Sequence, residues 1–416
     1  MTAPFGDAAA SPSKLGVPPV PALSQCRIVE LAETPSGEYC GKLLSDFGAE
    51  VIKIEIPGSG SPTRSLGPLA SSGGHPERSG LFAYLNTNKK SVALDLSTAS
   101  GTATLSLLLD QADAVIDDHP PGWLKGVGLD PGTLEAGRPG LVLCSITDFG
   151  QEPLDDRRHA EDLTVFHGSG WGYHTPGGGD DTQPPLNGPG RFLPSYEAGL
   201  EAALCVAAAL YDRASSQTGR FIDISKQAVL ASRLDYVLGQ LVAGDMDVSP
   251  RRGVFDLRGP AGIFACRDGY VYVWLSEPVH WQALGRLLGG PDWMRPFPDR
   301  WLERECTAER VAECRRGIAA WLKDQARDKV VEDAQRLGLT LAPLNAPDDL
   351  LMSPQYLFRA YFAEVTHPVL GTAMYPTVPY RMSASPARID APAPLLGQHT
   401  EAGFAALSGN NREDRP

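Results

Sequence analysis

The chain has 416 residues, of which 42% are hydrophobic and 21% are charged, so it is long enough to bury a core without disulfide or metal staples. Its formal net charge of −13 at pH 7 argues against partners such as nucleic acid or an anionic membrane surface. The seven cysteines are scattered without the spacing of metal ligands, which predicts free thiols in a cytoplasmic protein and no metal site.

Both ends of the chain are predicted to lie outside its folded part. Residues 1–25 are small, Pro-rich and polar and lack the apolar core of a signal peptide, so we predict a disordered leader. Residues 406–416 are predicted to form a polar tail. Between them, no apolar run approaches the length of about 18 residues that a membrane helix requires.

Strands and helices alternate in the first half of the chain. Residues 27–31 and 50–55 have the pattern of buried strands, and the helix predicted at 38–47 between them completes a β-α-β unit. The next predicted elements are strands at 91–96, 114–117 and 141–146 and a helix at 98–112. This alternation predicts an α/β protein with a parallel sheet covered by helices on both faces.

The second half begins with a long apolar segment and then changes in texture. We predict a helix at 197–214, a strand at 221–224 and a helix at 227–242. Two runs of alternating residues, 263–265 and 270–274, flank Asp268-Gly269, which is a hairpin signal.

Further helices are predicted after the hairpin, at 279–288, 308–323 and 328–337. The expected organisation is a discontinuous large domain, 26–225 with 336–405, and a small α+β domain at 226–335.

Several segments, taken together and in this order, resemble the family III CoA-transferases, the family of formyl-CoA transferase, L-carnitine CoA-transferase and bile-acid-inducible protein F. They are LSDFGAEVIKIE at 44–55, PGSGSPTR at 57–64, LNTNKKSVALDL at 85–96 and LGQHTE at 396–401. The resemblance implies a Rossmann-like large domain, a small domain and two chains interlocked like links.

The resemblance also implies a covalent mechanism in which an aspartate attacks an acyl-CoA thioester inside a covered, dry site. The residue in the place of that aspartate is Ser195, or Pro194 if the alignment slips by one. The nearest carboxylate is Glu197, which at a helix start is commonly a partner of the helix dipole rather than a nucleophile. The sequence therefore predicts no catalytic residue, because none of these positions carries a carboxylate where the family has its aspartate.

For CoA itself, the resemblance assigns contacts to six positions of this chain: Ser36, Leu94, Asp95, Leu96, His119 and Lys125. CoA thioesters are then substrates, and no permanently bound cofactor is expected. Three family contacts to the nucleotide are replaced here by Ile56, Asp118 and Gly126. A carboxylate at position 118 would repel a pyrophosphate.

Two further polar positions have alternative interpretations. Asp162 is either a lone carboxylate with a chemical role or, more commonly for such a residue, a helix cap. A racemase of this family uses a His and an Asp, but the His position falls at Glu161, beside His159, and its Asp is the residue missing at position 195.

Three functions remain open on this basis. In the first hypothesis, the chain is a non-catalytic subunit of a hetero-oligomeric transferase whose homologous partner keeps the aspartate. An example of such a reaction is CoA transfer from succinyl-CoA to benzylsuccinate in anaerobic aromatic degradation. Alternatively, it is a homodimeric transferase that uses Glu197. In the third hypothesis it is an acyl-CoA-binding protein or lyase without transfer. The first two predict an acyl-CoA and a dicarboxylic or aromatic acid as substrates.

Overall fold

The computed structural model of the chain describes residues 20–70, 75–154, 160–174, 190–244 and 260–401. The chain divides into two compact units, one formed by Met1–Gly253 with Phe358–Pro416 and the other by Val254–Leu357. The predicted polar tail, most of the predicted leader and His159 lie outside the described residues.

The described strands are β1 (Arg27–Glu30), β2 (Glu50–Glu55), β3 (Lys90–Ala93), β4 (Ala114–Asp117), β5 (Val142–Thr147), β6 (Phe221–Ser225), β7 (Gly262–Cys266), β8 (Gly269–Val273), β9 (Leu341–Pro343), β10 (Phe362–His367) and β11 (Gly371–Pro376).

The described helices are α1 (Pro35–Asp46), α2 (Gly80–Leu85), α3 (Ala99–Leu109), α4 (Trp123–Gly126), α5 (Pro131–Gly137), α6 (Asp162–Gly168), α7 (Trp171–His174), α8 (Leu193–Ser216), α9 (Lys226–Ala231), α10 (Asp235–Ala243), α11 (Pro278–Leu288), α12 (Trp301–Arg304), α13 (Ala308–Leu322), α14 (Arg327–Arg336), α15 (Pro347–Met352) and α16 (Pro354–Arg359). Two short 3₁₀ turns are found at Pro62–Ser65 and Asp292–Met294.

The first unit is built on a parallel sheet with the strand order β3-β2-β1-β4-β5-β6. Successive side chains of a strand point to opposite faces, so Ile28 and Ile116 enter the hydrophobic core beneath α1 and α8, whereas Val29 and Val115 enter the core beneath α3. The prediction of a parallel α/β sheet covered on both faces is confirmed. The order is that of Rossmann folds, in which the chain reverses direction between β1 and β4.

Residues 20–25, at the end of the predicted leader, are folded onto the first unit. Leu23 packs against the core beneath α1, and its N–H donates to the Phe47 carbonyl at 3.0 Å. The prediction of disorder as far as residue 25 is therefore wrong for residues 20–25, because the apolar side chain of Leu23 packs this otherwise polar segment against the core.

Helix α8 packs against α1 and β5 in the core of the first unit. By length and composition alone it could cross a membrane, with a mean hydropathy of 1.2 over a window that is half buried. This is weak evidence, because the apolar core helix of a globular domain passes the same test. Helix α8 begins at Leu193, four residues before the predicted start, with Pro194 in its first turn.

The single helix predicted at 227–242 is two helices, α9 and α10. The hydroxyl of Ser225 accepts from the Ala228 N–H at 3.3 Å and fixes the start of α9. The hydroxyl of Ser232 donates to the Val229 carbonyl at 2.7 Å, and such a local bond competes with the helical ladder at the point where α9 ends.

The second unit contains the antiparallel sheet β7-β8-β9 and a core of its own, in which Trp281, Phe297 and Trp301 contact one another. The predicted hairpin is confirmed as β7 and β8. The unit starts and ends later than the small domain predicted at 226–335. It ends later because β9, beyond residue 335, pairs with β8. It starts later because α9 packs on α8 in the first unit.

Candidate active site

A cavity of about 400 Å³ lies in the first unit, at the carboxyl ends of four parallel strands. This edge includes the point between β1 and β4 where the strand order reverses, which is where open α/β sheets bind ligands. The polar residues that line the cavity just after these strands are Glu33, Thr34, Asp118, His119, Asp148 and Lys226.

One wall of the cavity is closed by the carboxylate of Asp118, which lies at the N-terminus of α1. Its Oδ1 accepts from the Glu33 N–H at 2.8 Å, and its Oδ2 accepts from the Thr34 hydroxyl at 2.6 Å. The Ser36 hydroxyl and the Gly37 N–H also donate to Oδ2, at 3.2 and 3.0 Å. The N–H groups with which a Rossmann helix binds pyrophosphate are thus already occupied by a carboxylate of this chain.

The cavity wall also holds a cluster of Ser195, Asp162, Lys226 and Asp148. The Ser195 hydroxyl donates to Asp162 Oδ1 at 2.9 Å, and the Ser195 N–H donates to Asp162 Oδ2 at 3.2 Å. The ammonium of Lys226 lies 3.4 Å from Asp162 Oδ1 and 3.1 Å from Asp148 Oδ1. All four residues line the cavity, and Ser195 is only 1% exposed.

Two neighbouring carboxylates stabilise the charged form of Lys226. Burial alone would lower the pKa of this ammonium, but the carboxylates of Asp162 and Asp148 outweigh the desolvation and raise the pKa above its ordinary value. The cluster therefore carries one buried cation between two carboxylates at neutral pH.

A second cation lies at the end of β4. His119 Nδ1 is 2.8 Å from Asp117 Oδ1, its Nε2 is 3.4 Å from Glu33 Oε2, and its ring stacks on Trp123 with 3.5 Å between ring centroids. Burial lowers the pKa of His119, but the hydrogen bonds to Asp117 and Glu33 outweigh it and raise the pKa to about 9. His119 is therefore an imidazolium at neutral pH.

We expect the ion pair of His119 to stabilise the fold below pH 6.5 and to be lost as the pH rises to about 9. The pKa is raised on folding from 6.5, so the folded state holds the proton more tightly, and the loss amounts to roughly 3 kcal/mol. Urea unfolding at pH 6.5 and pH 9.5 measures it. Since other groups also titrate in this range, the matched control is His119→Gln, whose stability should fall less; equal losses in both proteins would contradict the assignment.

The residues predicted to contact CoA are only partly brought together. His119 lines the cavity, and Ser36 is bound to Asp118 in its wall. Leu94, Asp95 and Leu96 follow β3, at the far edge of the sheet, and do not line this cavity. Lys125 is exposed on α4, with Asp130 3.4 Å away. Their role in CoA binding stays a prediction.

Glu197 points away from the cavity. Its Oε2 accepts from Arg233 Nε at 3.2 Å on the outer side of α8, and it is not among the lining residues. Two residues along a helix correspond to a rotation of about 200°, which explains why Ser195 and Glu197 face opposite ways.

We expect Glu197→Gln to leave the rate of any reaction in the cavity within about two-fold of wild type, because a surface pair of this kind contributes little. Steady-state rates of the purified variant measure the effect. A loss of a hundred-fold or more would restore Glu197 as a candidate nucleophile.

Two members of the cluster, Asp148 and Lys226, were not predicted. Each follows the end of a strand that the sequence did predict, at 141–146 and 221–224. Ligands bind at the carboxyl ends of parallel strands, so this rule could have predicted both residues as members of the site.

Comparisons with known proteins agree with this architecture. A family model described as CoA-transferase family III matches residues 23–400, so the chain belongs to that family.

Among individual proteins, the succinyl-CoA–D-citramalate CoA-transferase of Chloroflexus aurantiacus is 30% identical and is aligned over 95% of this chain and 96% of its own length. The succinyl-CoA–L-malate CoA-transferase alpha subunit of the same organism is 26% identical over 91% of this chain and 87% of its own. The crystal structure of a CAIB/BAIF family protein from Brucella suis superposes with a TM-score of 0.77 at 26% identity, covering 93% of this chain and 99% of the other.

Proposed function

We propose that this chain transfers CoA between a succinyl-type acyl-CoA and a second dicarboxylic acid, and that the reaction takes place in the cavity of the first unit. The observation that carries this proposal is the set of three cations in the cavity wall, Lys226, His119 and Arg191, in a chain of CoA-transferase family III. A transferase of this kind has to attract an anionic acid into a site that excludes water.

The rest of the cavity wall is suited to a thioester. Apolar side chains of Ile146, Phe149, Phe192 and Leu66 line it and keep water away from an activated acyl group. CoA thioesters are substrates, and the proposal needs no permanently bound cofactor. The choice of dicarboxylic acids is supported by two similar proteins, whose names specify succinyl-CoA with citramalate or malate.

The test is to incubate the purified chain with succinyl-CoA and one acid at a time: D-citramalate, L-malate, benzylsuccinate, and acetate as a control with one carboxylate. We expect chromatography to show a new acyl-CoA with at least one dicarboxylate. Lys226→Met should raise KM for that acid by about ten-fold or more, since it removes a charge-assisted contact. Hydrolysis of succinyl-CoA without transfer to any acid would contradict the proposal.

A second candidate is favoured by Ser195 at the position of the family's aspartate. In that arrangement the chain is the non-catalytic subunit of a hetero-oligomer, and a homologous subunit supplies the aspartate, for example in transfer from succinyl-CoA to benzylsuccinate. One similar protein is named as an alpha subunit, which supports the existence of multi-subunit assemblies. Activity that appears only after co-expression with a homologous chain, and disappears when the partner's aspartate is replaced, would favour this candidate.

For both candidates we propose an interlocked dimer in the cytoplasm. Support comes from α8, where Leu200, Leu204 and Tyr211 are 44%, 62% and 86% exposed and form an apolar surface that a partner chain could cover. Light scattering of the purified protein measures the assembly, and a monomer would contradict it.

A further inference from the structure

We propose that Asp162 is the carboxylate nucleophile of this chain and that Ser195 is the residue that positions it. The inference rests on the proposed transferase function and supplies the carboxylate that is missing at position 195. It assigns the covalent step to an element, α6, that differs from the helix expected to carry the nucleophile.

The first support is the position of the Asp162 carboxylate. The hydroxyl oxygen of Ser195 occupies the γ position of its side chain, which is also where the carboxyl carbon of an aspartate on the same backbone lies. Asp162 Oδ1 is 2.9 Å from that oxygen, and the Asp162 side chain is 11% exposed in the cavity wall. A carboxylate from α6 thus approaches the place where the family has one from α8.

The second support is that Asp162 does not cap its own helix. The N-cap of α6 is Glu161, which makes no side-chain capping bond, and Asp162 is the first residue inside the helix. Both of its oxygens instead accept from Ser195, whose N–H belongs to the first turn of α8. Asp162 therefore does not cap α6; its carboxylate points across to the first turn of α8 and accepts an N–H there.

The third support is the electrostatic setting. The Asp162 carboxylate lies between an N–H in the first turn of the 24-residue helix α8 and the Lys226 ammonium, so a positive helix end and a cation both face it. Lys226 also pairs with Asp148, which holds the ammonium close to Asp162. The same ammonium can stabilise the negative oxygen that develops when a carbonyl is attacked.

The steps balance with the groups that the proposed function provides. An oxygen of Asp162 attacks the thioester carbonyl, the C–S bond breaks, and the CoA thiolate leaves with the electron pair of that bond. The product on the protein is a mixed anhydride of Asp162 and the first acid. The thiolate then attacks the Asp162 carboxyl carbon, and the first acid leaves as a carboxylate that carries one former oxygen of Asp162.

The second acid completes the cycle in the same way. Its carboxylate attacks the aspartyl-CoA thioester, which forms a new anhydride and frees the thiolate. The thiolate attacks the acyl carbon of the second acid, and the Asp162 carboxylate is restored with one oxygen from that acid. No proton, electron or water is consumed.

The experiment combines a chemical trap with four variants of the full chain. Incubation with succinyl-CoA followed by hydroxylamine converts an acylated or thioesterified aspartate to a hydroxamate, which peptide mass spectrometry locates. We expect the hydroxamate at Asp162 in wild type and in the control Glu197→Gln. Asp162→Asn should lose the hydroxamate and lower the transfer rate by about 10⁴-fold.

Asparagine and aspartate are equally good helix caps, so an Asp162 that served only to cap the first turn of α8 would tolerate Asp162→Asn. The double variant Asp162→Asn, Ser195→Asp returns a carboxylate to the family position, and it should regain both transfer and the hydroxamate, now at position 195. Ser195→Ala keeps the backbone N–H bond and should retain the hydroxamate at Asp162 with a transfer rate lowered by about ten-fold. Urea unfolding of each variant establishes that the fold is intact.

The outcomes separate this inference from the function on which it rests. Transfer by wild type with a hydroxamate at another residue, or undiminished transfer by Asp162→Asn, overturns the role of Asp162 alone. Absence of both transfer and hydroxamate overturns the inference together with catalysis by this chain.

Discussion

Lys53→Met is expected to lower the free energy of unfolding by about 3–5 kcal/mol, because it leaves two buried carboxylates to share one cation. The Lys53 ammonium on β2 is fully buried, 3.1 Å from Glu30 Oε1 and 2.9 Å from Glu38 Oε1. The second cation of this four-charge cluster is Lys89, whose ammonium lies 2.7 Å from Glu30 Oε2. Chemical denaturation measures the loss.

The cluster also supports the cavity. Glu38 Oε1 accepts from the hydroxyls of Ser61 and Thr63 at 2.7 and 2.6 Å, and Thr63 lines the cavity. We therefore expect Lys53→Met to reduce activity as well as stability, since the loop wall is held by a carboxylate that Lys53 neutralises.

Lys90→Met is the matched control for this prediction. Lys90 begins the neighbouring strand β3, its side chain is 49% exposed, and its ammonium lies 2.5 Å from Glu50 Oε1. A surface pair of this kind contributes about 0–1 kcal/mol. Equal losses for Lys53→Met and Lys90→Met would show that the buried cluster contributes no more than a surface pair.

Gly199→Ala is expected to destabilise the protein by about 1–3 kcal/mol, although alanine has a higher helix propensity than glycine. A Cβ at this position of α8 would lie 2.5 Å from the Ser36 carbonyl oxygen of α1 and 3.2 Å from Tyr39 Cβ. The backbone oxygen cannot move aside, so α8 has to shift. Because Ser195 lies one turn earlier on α8, we expect the transfer rate to fall by about 10²-fold.

Gly239→Ala provides the comparison on another helix. A Cβ at Gly239 of α10 would meet no atom within 4 Å, so this substitution should stabilise the protein by about 0.5–1 kcal/mol and leave the rate unchanged. Denaturation and steady-state kinetics on both variants test the packing argument. A neutral Gly199→Ala would show that α1 and α8 approach each other less closely than described.

Local patterns were sufficient to predict most of the fold. The strands of the parallel sheet and the β7–β8 hairpin could be predicted because the hydrophobic periodicity and the turn residues indicate the same element boundaries, as at Asp268-Gly269. The break between α9 and α10 was missed, because one serine hydroxyl bound to a backbone carbonyl ended a helix in an otherwise apolar segment.

The site could be predicted only in part. The resemblance to family motifs pointed to Ser195 as the position of interest, and the structure places Ser195 in the wall of the cavity. The contact between Ser195 and Asp162 spans 33 positions and depends on how the chain after β5 places α6, which local periodicity does not encode. The same limit applies to Asp118: the sequence suggests repulsion of a pyrophosphate, which stays a prediction, but it does not indicate that the N–H groups at the start of α1 bind this carboxylate.

Oxygen exchange into the protein tests the central claim most directly. The chain is incubated with succinyl-CoA and ¹⁸O-labelled succinate, so that no knowledge of the second acid is needed, and peptide mass spectrometry then locates the label. The covalent mechanism predicts ¹⁸O in the carboxylate of Asp162, dependent on succinyl-CoA and lost in Asp162→Asn. CoA exchange without ¹⁸O in Asp162, or with ¹⁸O only in another residue or in a partner chain, would contradict it.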